Sequence, residues 1–344
     1  MPIRVLHAPA AVGGHPSGLA AAERELGLDS TVLTLHTPPF GYQVDRVLAP
    51  DGTSVAAREW RRWRAVADAR SYDVVHFNFG TSLAPAFHGS AGRGGRAYGI
   101  YARLLEQRDL PLLRGRALFV TFQGDDVRPS GDADEDARKR QRLDRFTNAA
   151  DGLYVLNPDL LEHVPQAAFL PYASVDPRAW TPVPPTADRP LRVVHAPSDR
   201  ARKGTDEIVA AVDGLDVELE LVEGVSRDEA RRALERADVV VDQLVVGWYG
   251  GVAVEAMALG KPVVARIDQS ALARVPEEMA RELPVVHADA GSLRGTLATL
   301  GGLRELGLRG RTFVERWHDP REIARRVVAD YERALARRRA EGGD

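Results

Sequence analysis

The sequence predicts two doubly wound α/β domains in tandem, and three observations lead there. The chain has 344 residues, long for one domain and comfortable for two of roughly 150–170. Short apolar runs alternate with amphipathic segments, the pattern of parallel strands joined by crossover helices. The chain also repeats itself faintly: residues 4–9 read RVLHAP and 192–197 read RVVHAP, while 73–78 read DVVHFN and 238–243 read DVVVDQ. Repeats so far apart do not make a solenoid. They suit two domains of one architecture.

In the first half the apolar runs predict strands near 3–7, 31–35, 73–77, 117–122, 152–155 and 168–170. Helical periodicity falls near 16–27, 54–69, 97–108 and 134–149. In the second half strands are expected near 191–195, 217–222, 238–242, 262–265 and 284–286, and helices near 204–213, 226–236, 251–259 and 292–299. The stretch 181–190 holds four prolines, which forbid regular helix or a central strand, and reads as an interdomain linker. A last helix is expected from about Pro320 to Arg339. Ile323, Val327, Tyr331 and Leu335 form its apolar stripe. Its seven arginines are either the solvated back of a docked helix or a peripheral membrane contact. The expected domains are 1–183 and 190–317, both Rossmann-like, followed by a helix and tail at 318–344 that pack back toward the first. In such sheets ligands bind at the carboxyl ends of the strands, so the residues that follow strands are the ones to examine.

Composition narrows the classes of function. With 46 basic and 49 acidic residues the net charge is −3, so a nucleic-acid partner is not expected. There are no cysteines, which excludes disulfides, thiolate catalysis and thiolate metal sites. The N-terminus enters a strand-like run without signal-peptide features, and no apolar run approaches a membrane span. A cytoplasmic protein is therefore the expectation. Only Lys139, Lys203 and Lys261 are lysines, so arginine-rich stretches reflect a general bias and say little about anion binding.

The most informative stretch is 238–265. A buried strand ends near Asp242, an irregular loop follows, and Gly250 and Gly251 open a helix of good formers. Glycines let a ligand approach the backbone, and first-turn amides lack intrahelical partners, so this helix start suits a diphosphate. Glu255, one turn inside, is placed to accept from a ribose diol. After the strand at 191–195 come Arg200, Arg202 and Lys203, cations for a diphosphate. After the next strand Glu223 and Gly224 form a turn that can face a flat base. Taken singly, each is an ordinary glycine turn or surface charge; together they recur along one set of strand ends.

These residues resemble the retaining glycosyltransferases of the two-domain GT-B type, the large family with a Glu-x7-Glu signature. AVEAMALGKPVVA is similar to the signature helix and following strand, and RKGTDEIVAAV to the lysine–glycine helix start. The resemblance implies two domains facing across a cleft and transfer of a sugar from a nucleotide sugar, with retention and without a metal. It places Glu255 on the donor ribose and Lys203 on the diphosphate. The first signature glutamate falls on Gly247, and the family's arginine, five residues before the lysine, on Ser198; Arg200 or Arg202 would compensate. Asp242 and Gln243 are the nearest polar candidates to replace the missing glutamate, with Trp248 or Tyr249 shaping the sugar pocket.

On the first half, His7 ends a strand and PAAVGG follows, so Gly13 and Gly14 either face the donor diphosphate, as the resemblance implies, or simply close a tight turn. His76 and Asn78 share one face of their strand; His76 is either a catalytic base or a satisfied structural histidine. Gly124 breaks the strand at 117–122 and leaves Asp125 and Asp126 at its end. Adjacent carboxylates rarely converge on a metal, so one is expected to bind an acceptor hydroxyl or Arg128 and the other to cap the next segment. Gln123 stands near where the family often has a histidine. The loop 89–96, with two arginines, either closes over an anionic acceptor or is an ordinary crossover.

The resulting expectation is a hexosyltransferase-like enzyme with catalytic candidates His76, Asp125 and Asp242. Asn78, Gln123, Asp126, Gln243, Trp248 and Tyr249 are candidates for the sugar or acceptor. No resident cofactor is expected; a UDP- or GDP-linked sugar is the co-substrate, and the acceptor hydroxyl or amine belongs to a small molecule, a glycan or a lipid-linked molecule. Two other readings share the architecture: a nucleotide-sugar epimerase, and a two-lobed binding protein without catalysis.

Overall fold

The computed structural model describes residues 1–38, 41–85, 95–186 and 190–341. Contacts divide the chain into two compact units, Met1–Leu170 with Arg321–Asp344, and Pro171–Pro320. The residues just ahead of the proline-rich stretch, and the start of that stretch itself, are tied into the second unit. Val183 N–H donates to Leu259 O at 2.8 Å, and Thr186 bonds Asp238 Oδ1 through its amide and hydroxyl, both at 2.9 Å. Residues 181–186 are therefore not a free linker; 187–189 and most of the loop 89–96 lie outside the described residues.

In the first unit the strands are β1 (Arg4–Ala8), β2 (Asp29–Thr34), β3 (Arg46–Val47), β4 (Val74–Asn78), β5 (Ala117–Phe122), β6 (Gly152–Val155) and β7 (Ala168–Phe169). Among the described residues they form one parallel sheet of order β3-β2-β1-β4-β5-β6-β7. The helices are α1 (His15–Glu25), α2 (Val55–Ala69), α3 (Gly95–Leu105) and α4 (Ala133–Ala149). Local chemistry starts them: Ser54 caps the Ala57 amide and Asp132 the Glu135 amide. Leu6, Leu33, Val75, Phe77, Val120 and Phe122 alternate along the strands and fill one face.

The second unit repeats the plan. Its strands are β8 (Leu191–His195), β9 (Val217–Leu221), β10 (Val239–Val241), β11 (Val263–Ala265) and β12 (Val286–His287), parallel in the order β12-β11-β10-β8-β9. Its helices are α5 (Arg200–Lys203), α6 (Thr205–Val212), α7 (Arg227–Arg236), α8 (Gly251–Ala258), α9 (Gln269–Leu272), α10 (Glu277–Glu282), α11 (Leu293–Thr299) and α12 (Leu303–Trp317). Ser226 and Glu229 close a capping box on α7. α12 was not among the expected helices although its apolar residues recur at helical spacing; within it Gly307 and Gly310 are poor helix formers. They are there for contact: a Cβ at 307 would overlap the Gly260 carbonyl, and one at 310 would lie 3.1 Å from Met257 Cγ. The two glycines let α12 lie against α8.

The final helix, α13 (Pro320–Glu341), belongs from Arg321 onward to the first unit. Ile323, Val327 and Tyr331 of the expected stripe are buried. Its arginines engage acids of the same unit, including Arg338 with Asp151 at 2.7 Å and Arg333 with Asp330. Tyr331 enters a buried polar network on the sheet face opposite Phe77. Its hydroxyl lies 2.5 Å from His76 Nδ1 and donates to Glu23 Oε1 at 3.1 Å; Glu23 Oε2 also takes Ser30 Oγ and His7 Nε2. The substitution Tyr331→Phe strips Glu23 and His76 of a buried partner. It should lower unfolding stability by about 1–3 kcal/mol, measured as a fall in the urea midpoint; an unchanged midpoint would show that the network carries no stability.

Candidate active site

The strand order of the second unit reverses direction between β8 and β10, and such a switch point leaves a crevice at the carboxyl ends of the two strands. Both of the segments that follow these strands carry predicted residues. His195, buried at the end of β8, ties them together: Nδ1 donates to Val241 O at 2.7 Å and Nε2 accepts from Thr205 Oγ1 at 2.9 Å. Burial keeps this imidazole below its usual pKa, hence neutral and able to accept at one nitrogen.

Lys203 then reaches the start of α8. Its Nζ bonds Asp242 Oδ1 at 2.7 Å, and the other carboxylate oxygen of Asp242 accepts the Gly250 N–H at 2.6 Å. A Cβ on Gly250 would come within 3.0 Å of the ammonium, so glycine is what allows the cation this close. Asp242 has no exposed side-chain surface and Lys203 retains 13%. Asp242 is thus corrected from a catalytic candidate to a tether: both its oxygens are engaged and none meets solvent. The helix start is also less open than expected, since the Gly250 amide is taken. Gly251 and Val252 follow in the first turn, where amides have no carbonyl one turn upstream, and α8 has no side-chain cap. An ammonium carries three donors, so Asp242 leaves Lys203 two.

Glu255 lies about 6 Å further along α8. It is 8% exposed and its Oε1 takes Arg227 Nε at 3.1 Å, while Arg227 Nη2 donates to Ser174 O at 3.3 Å. Burial raises its pKa and Arg227 opposes that rise. The sequence did not single out Arg227, because it reads as the residue after a helix cap. Arg200 is drawn away from the helix start by Glu223 at 2.8 Å and Asp206 at 2.7 Å. Arg202 is half exposed beside Asp199. Of the three predicted cations, Lys203 is the one that stands at the start of α8.

Several expected ligand contacts are instead core. Trp248 and Tyr249 have no exposed surface, and their rings pack 4.6 Å apart. Tyr249 OH bonds His318 Nε2 at 2.9 Å, and His318 Nδ1 donates to Tyr172 O at 3.0 Å. Gln243 is buried and donates to Trp248 O. These three side chains pack inward and hold the loop 244–250 against the core of the unit.

In the first unit His76 is corrected likewise. It is fully buried, with Nδ1 on Tyr331 and Nε2 on Thr121 Oγ1 at 2.7 Å, and burial holds it neutral. Asn78 is buried and donates to His76 O. Both side chains are buried within the unit. Gly13 and Gly14 adopt φ of +62° and +71° and lead into α1. After β5, Asp126 accepts the Gly124 amide at 2.6 Å and the Gln123 amide at 3.1 Å; burial pushes its carboxyl up to about 6. Arg128 forks onto Asp159 instead of the Asp125–Asp126 pair. Asp125 is exposed and Gln123 half-buried.

A residue that the sequence did not flag stands beside Gly247. Asp268, past the end of β11, donates its amide to Gly247 O at 2.9 Å, and Arg266 Nε bonds its Oδ1 at 2.9 Å. The signal was present: Asp268 follows a strand end as the other candidates do.

No model of a known protein family matches the chain, and no curated protein matches it by sequence. Solved structures do match. A sucrose-phosphate synthase from Thermosynechococcus elongatus aligns with a TM-score of 0.64 at 16% identity, over 98% of this chain and 100% of that one. HepE from Anabaena, solved with UDP-glucose, aligns at 0.64 and 12%, over 95% and 98%. The lipopolysaccharide outer core galactosyltransferase WaaB aligns at 0.53 and 9%, over 97% and 99%. The chain therefore has the α/β fold of two parallel-sheet domains found in GT-B glycosyltransferases.

The buried support of the loop should make the second unit acid-sensitive. Burial lowers the His318 pKa to about 4, against about 6.5 in an unfolded chain. The unfolded state thus binds the proton first as pH falls, and the stabilisation is complete above about pH 6.5 and lost progressively toward pH 4. The loss should reach about 3 kcal/mol. Denaturant midpoints measured across this window should show the slope, and His318→Gln should flatten it; an equal slope in that variant would contradict the assignment.

Proposed function

We propose that the protein is a glycosyltransferase that moves a sugar from a nucleoside-diphosphate sugar to an acceptor hydroxyl or amine. The observation that carries this reading is the Lys203 ammonium fixed at the uncapped start of α8, at the switch point of the second sheet. The fold shared with HepE, which is solved with UDP-glucose, supports it.

In this reading the first-turn amides of α8 and the free donors of Lys203 bind the diphosphate, and Glu255 accepts from the ribose through the oxygen that Arg227 leaves. As the bond between the sugar's anomeric carbon and the phosphate oxygen breaks, its electron pair remains on the phosphate. The amides and ammonium stabilise that charge where it grows, so no divalent cation is required. Retention places the acceptor on the face the phosphate leaves; the acceptor oxygen bonds the anomeric carbon, and its proton passes to the departing phosphate. Asp125, exposed at the end of β5, is the remaining carboxylate candidate for an acceptor contact.

The test must separate binding from folding. Lys203→Ala alone leaves a buried Asp242 carboxylate unpaired, which costs about 3–5 kcal/mol. The double change Lys203→Met with Asp242→Asn removes both charges together. This variant should fold and lose UDP or GDP affinity about tenfold to a hundredfold, measured by calorimetry. Binding of wild-type strength in the folded double variant would remove the site.

A further inference from the structure

Gly247 is a position from which this chain excludes a side chain. A Cβ there would overlap Cγ and Oδ2 of Asp268 and lie 2.7 Å from its Cβ. The space belongs to a carboxylate that arrives from a different strand end. Asp268 immediately precedes α9, where an aspartate normally caps a first-turn amide, yet its side chain caps none. It is turned to the loop 244–250 and held there by Arg266, with Nε on Oδ1 at 2.9 Å and Nη2 near Oδ2 at 3.4 Å. The Arg266 amide is itself anchored to Gln243 O at 2.8 Å. The Asp268 side chain keeps 38% of its surface, so it can accept hydroxyls.

Its neighbourhood is a cavity of about 380 Å³, lined by Asp268, Gln269 and His287 among apolar side chains including Ile267, Leu272 and Leu283. That is within the usual size of small-molecule sites, which are mostly apolar with a few placed polar groups. His287 Nδ1 accepts the Ile267 amide at 3.1 Å, which puts the proton of a neutral ring on Nε2 as a donor. A carboxylate acceptor and an imidazole donor in one cavity match a polyhydroxylated ring. Gly247 is also only three residues before Gly250, where Lys203 and α8 form the anion site.

We propose that Asp268 is the donor-sugar specificity residue of this chain: its carboxylate occupies the space that a side chain at 247 would fill and accepts from hydroxyls of the transferred sugar, with the cavity beyond it receiving the ring. This rests on the glycosyltransferase reading above.

The experiment compares each nucleoside diphosphate with its sugar conjugates. Calorimetry on the full chain uses UDP, UDP-glucose, UDP-galactose, UDP-N-acetylglucosamine, GDP and GDP-mannose. At least one conjugate should bind the wild type more tightly than its bare diphosphate. Asp268→Asn keeps the side chain's size and should erase about tenfold of that preference while leaving bare UDP or GDP within about twofold. Gly247→Glu combined with Asp268→Ala returns a carboxylate to the same space from the other segment and should recover part of the preference. If Asp268→Asn keeps the full preference, or the folded double variant recovers none, the inference is overturned while diphosphate binding still stands. If the wild type binds none of the six, the donor reading itself falls, and this inference with it.

Discussion

A buried carboxylate that must be paired organises the candidate site. Asp242 sits at the end of a fully buried strand, where an unpaired charge would cost several kcal/mol. Its two oxygens are satisfied by Lys203 and by the Gly250 amide. One side chain therefore fixes three segments: the turn after β8, the end of β10 and the entry to α8. The position of the ammonium, the orientation of the helix start and the depth of Glu255 all follow from it. The same pairing limits what the site offers, because one amide and one ammonium proton are already engaged.

Support comes from two neutral histidines. His195 locks the two strand ends at the switch point, and His318 anchors Tyr249, which lies in the loop between Gly247 and Gly250. Both are kept below their ordinary pKa by burial. They can therefore accept a hydrogen bond as well as donate one, which a charged imidazole cannot do. The Lys203–Asp242 pair at the start of α8 is thus scaffolded by groups that remain uncharged at neutral pH.

The fold was largely legible because its signals are local. Alternating apolar runs placed the strands of both sheets, and capping residues such as Ser54, Asp132 and Ser226 started helices where the periodicity began. What failed depended on distant partners. α12 was not anticipated: Gly307 and Gly310 count against a helix by propensity, and their reason is contact with Gly260 and Met257 on neighbouring segments. β3 is only two residues long and leaves no period. The rule that ligands meet strand ends singled out Lys203 and Glu255, and with them His76 and Tyr249. Those two are covered by Tyr331 and His318, which lie far away in the chain and which no local pattern connects to them. Asp268 follows a strand end as the other candidates do, but what sets it apart, a carboxylate filling the space beside Gly247, is a tertiary contact that no local pattern shows.

The most direct measurement is a crystal structure of the protein with a nucleoside diphosphate bound. The account predicts phosphate oxygens within hydrogen-bonding distance of the Gly251 and Val252 amides and of Lys203 Nζ, with Asp242 still bridging Lys203 and Gly250. A diphosphate held by other residues, with the start of α8 empty, would contradict it.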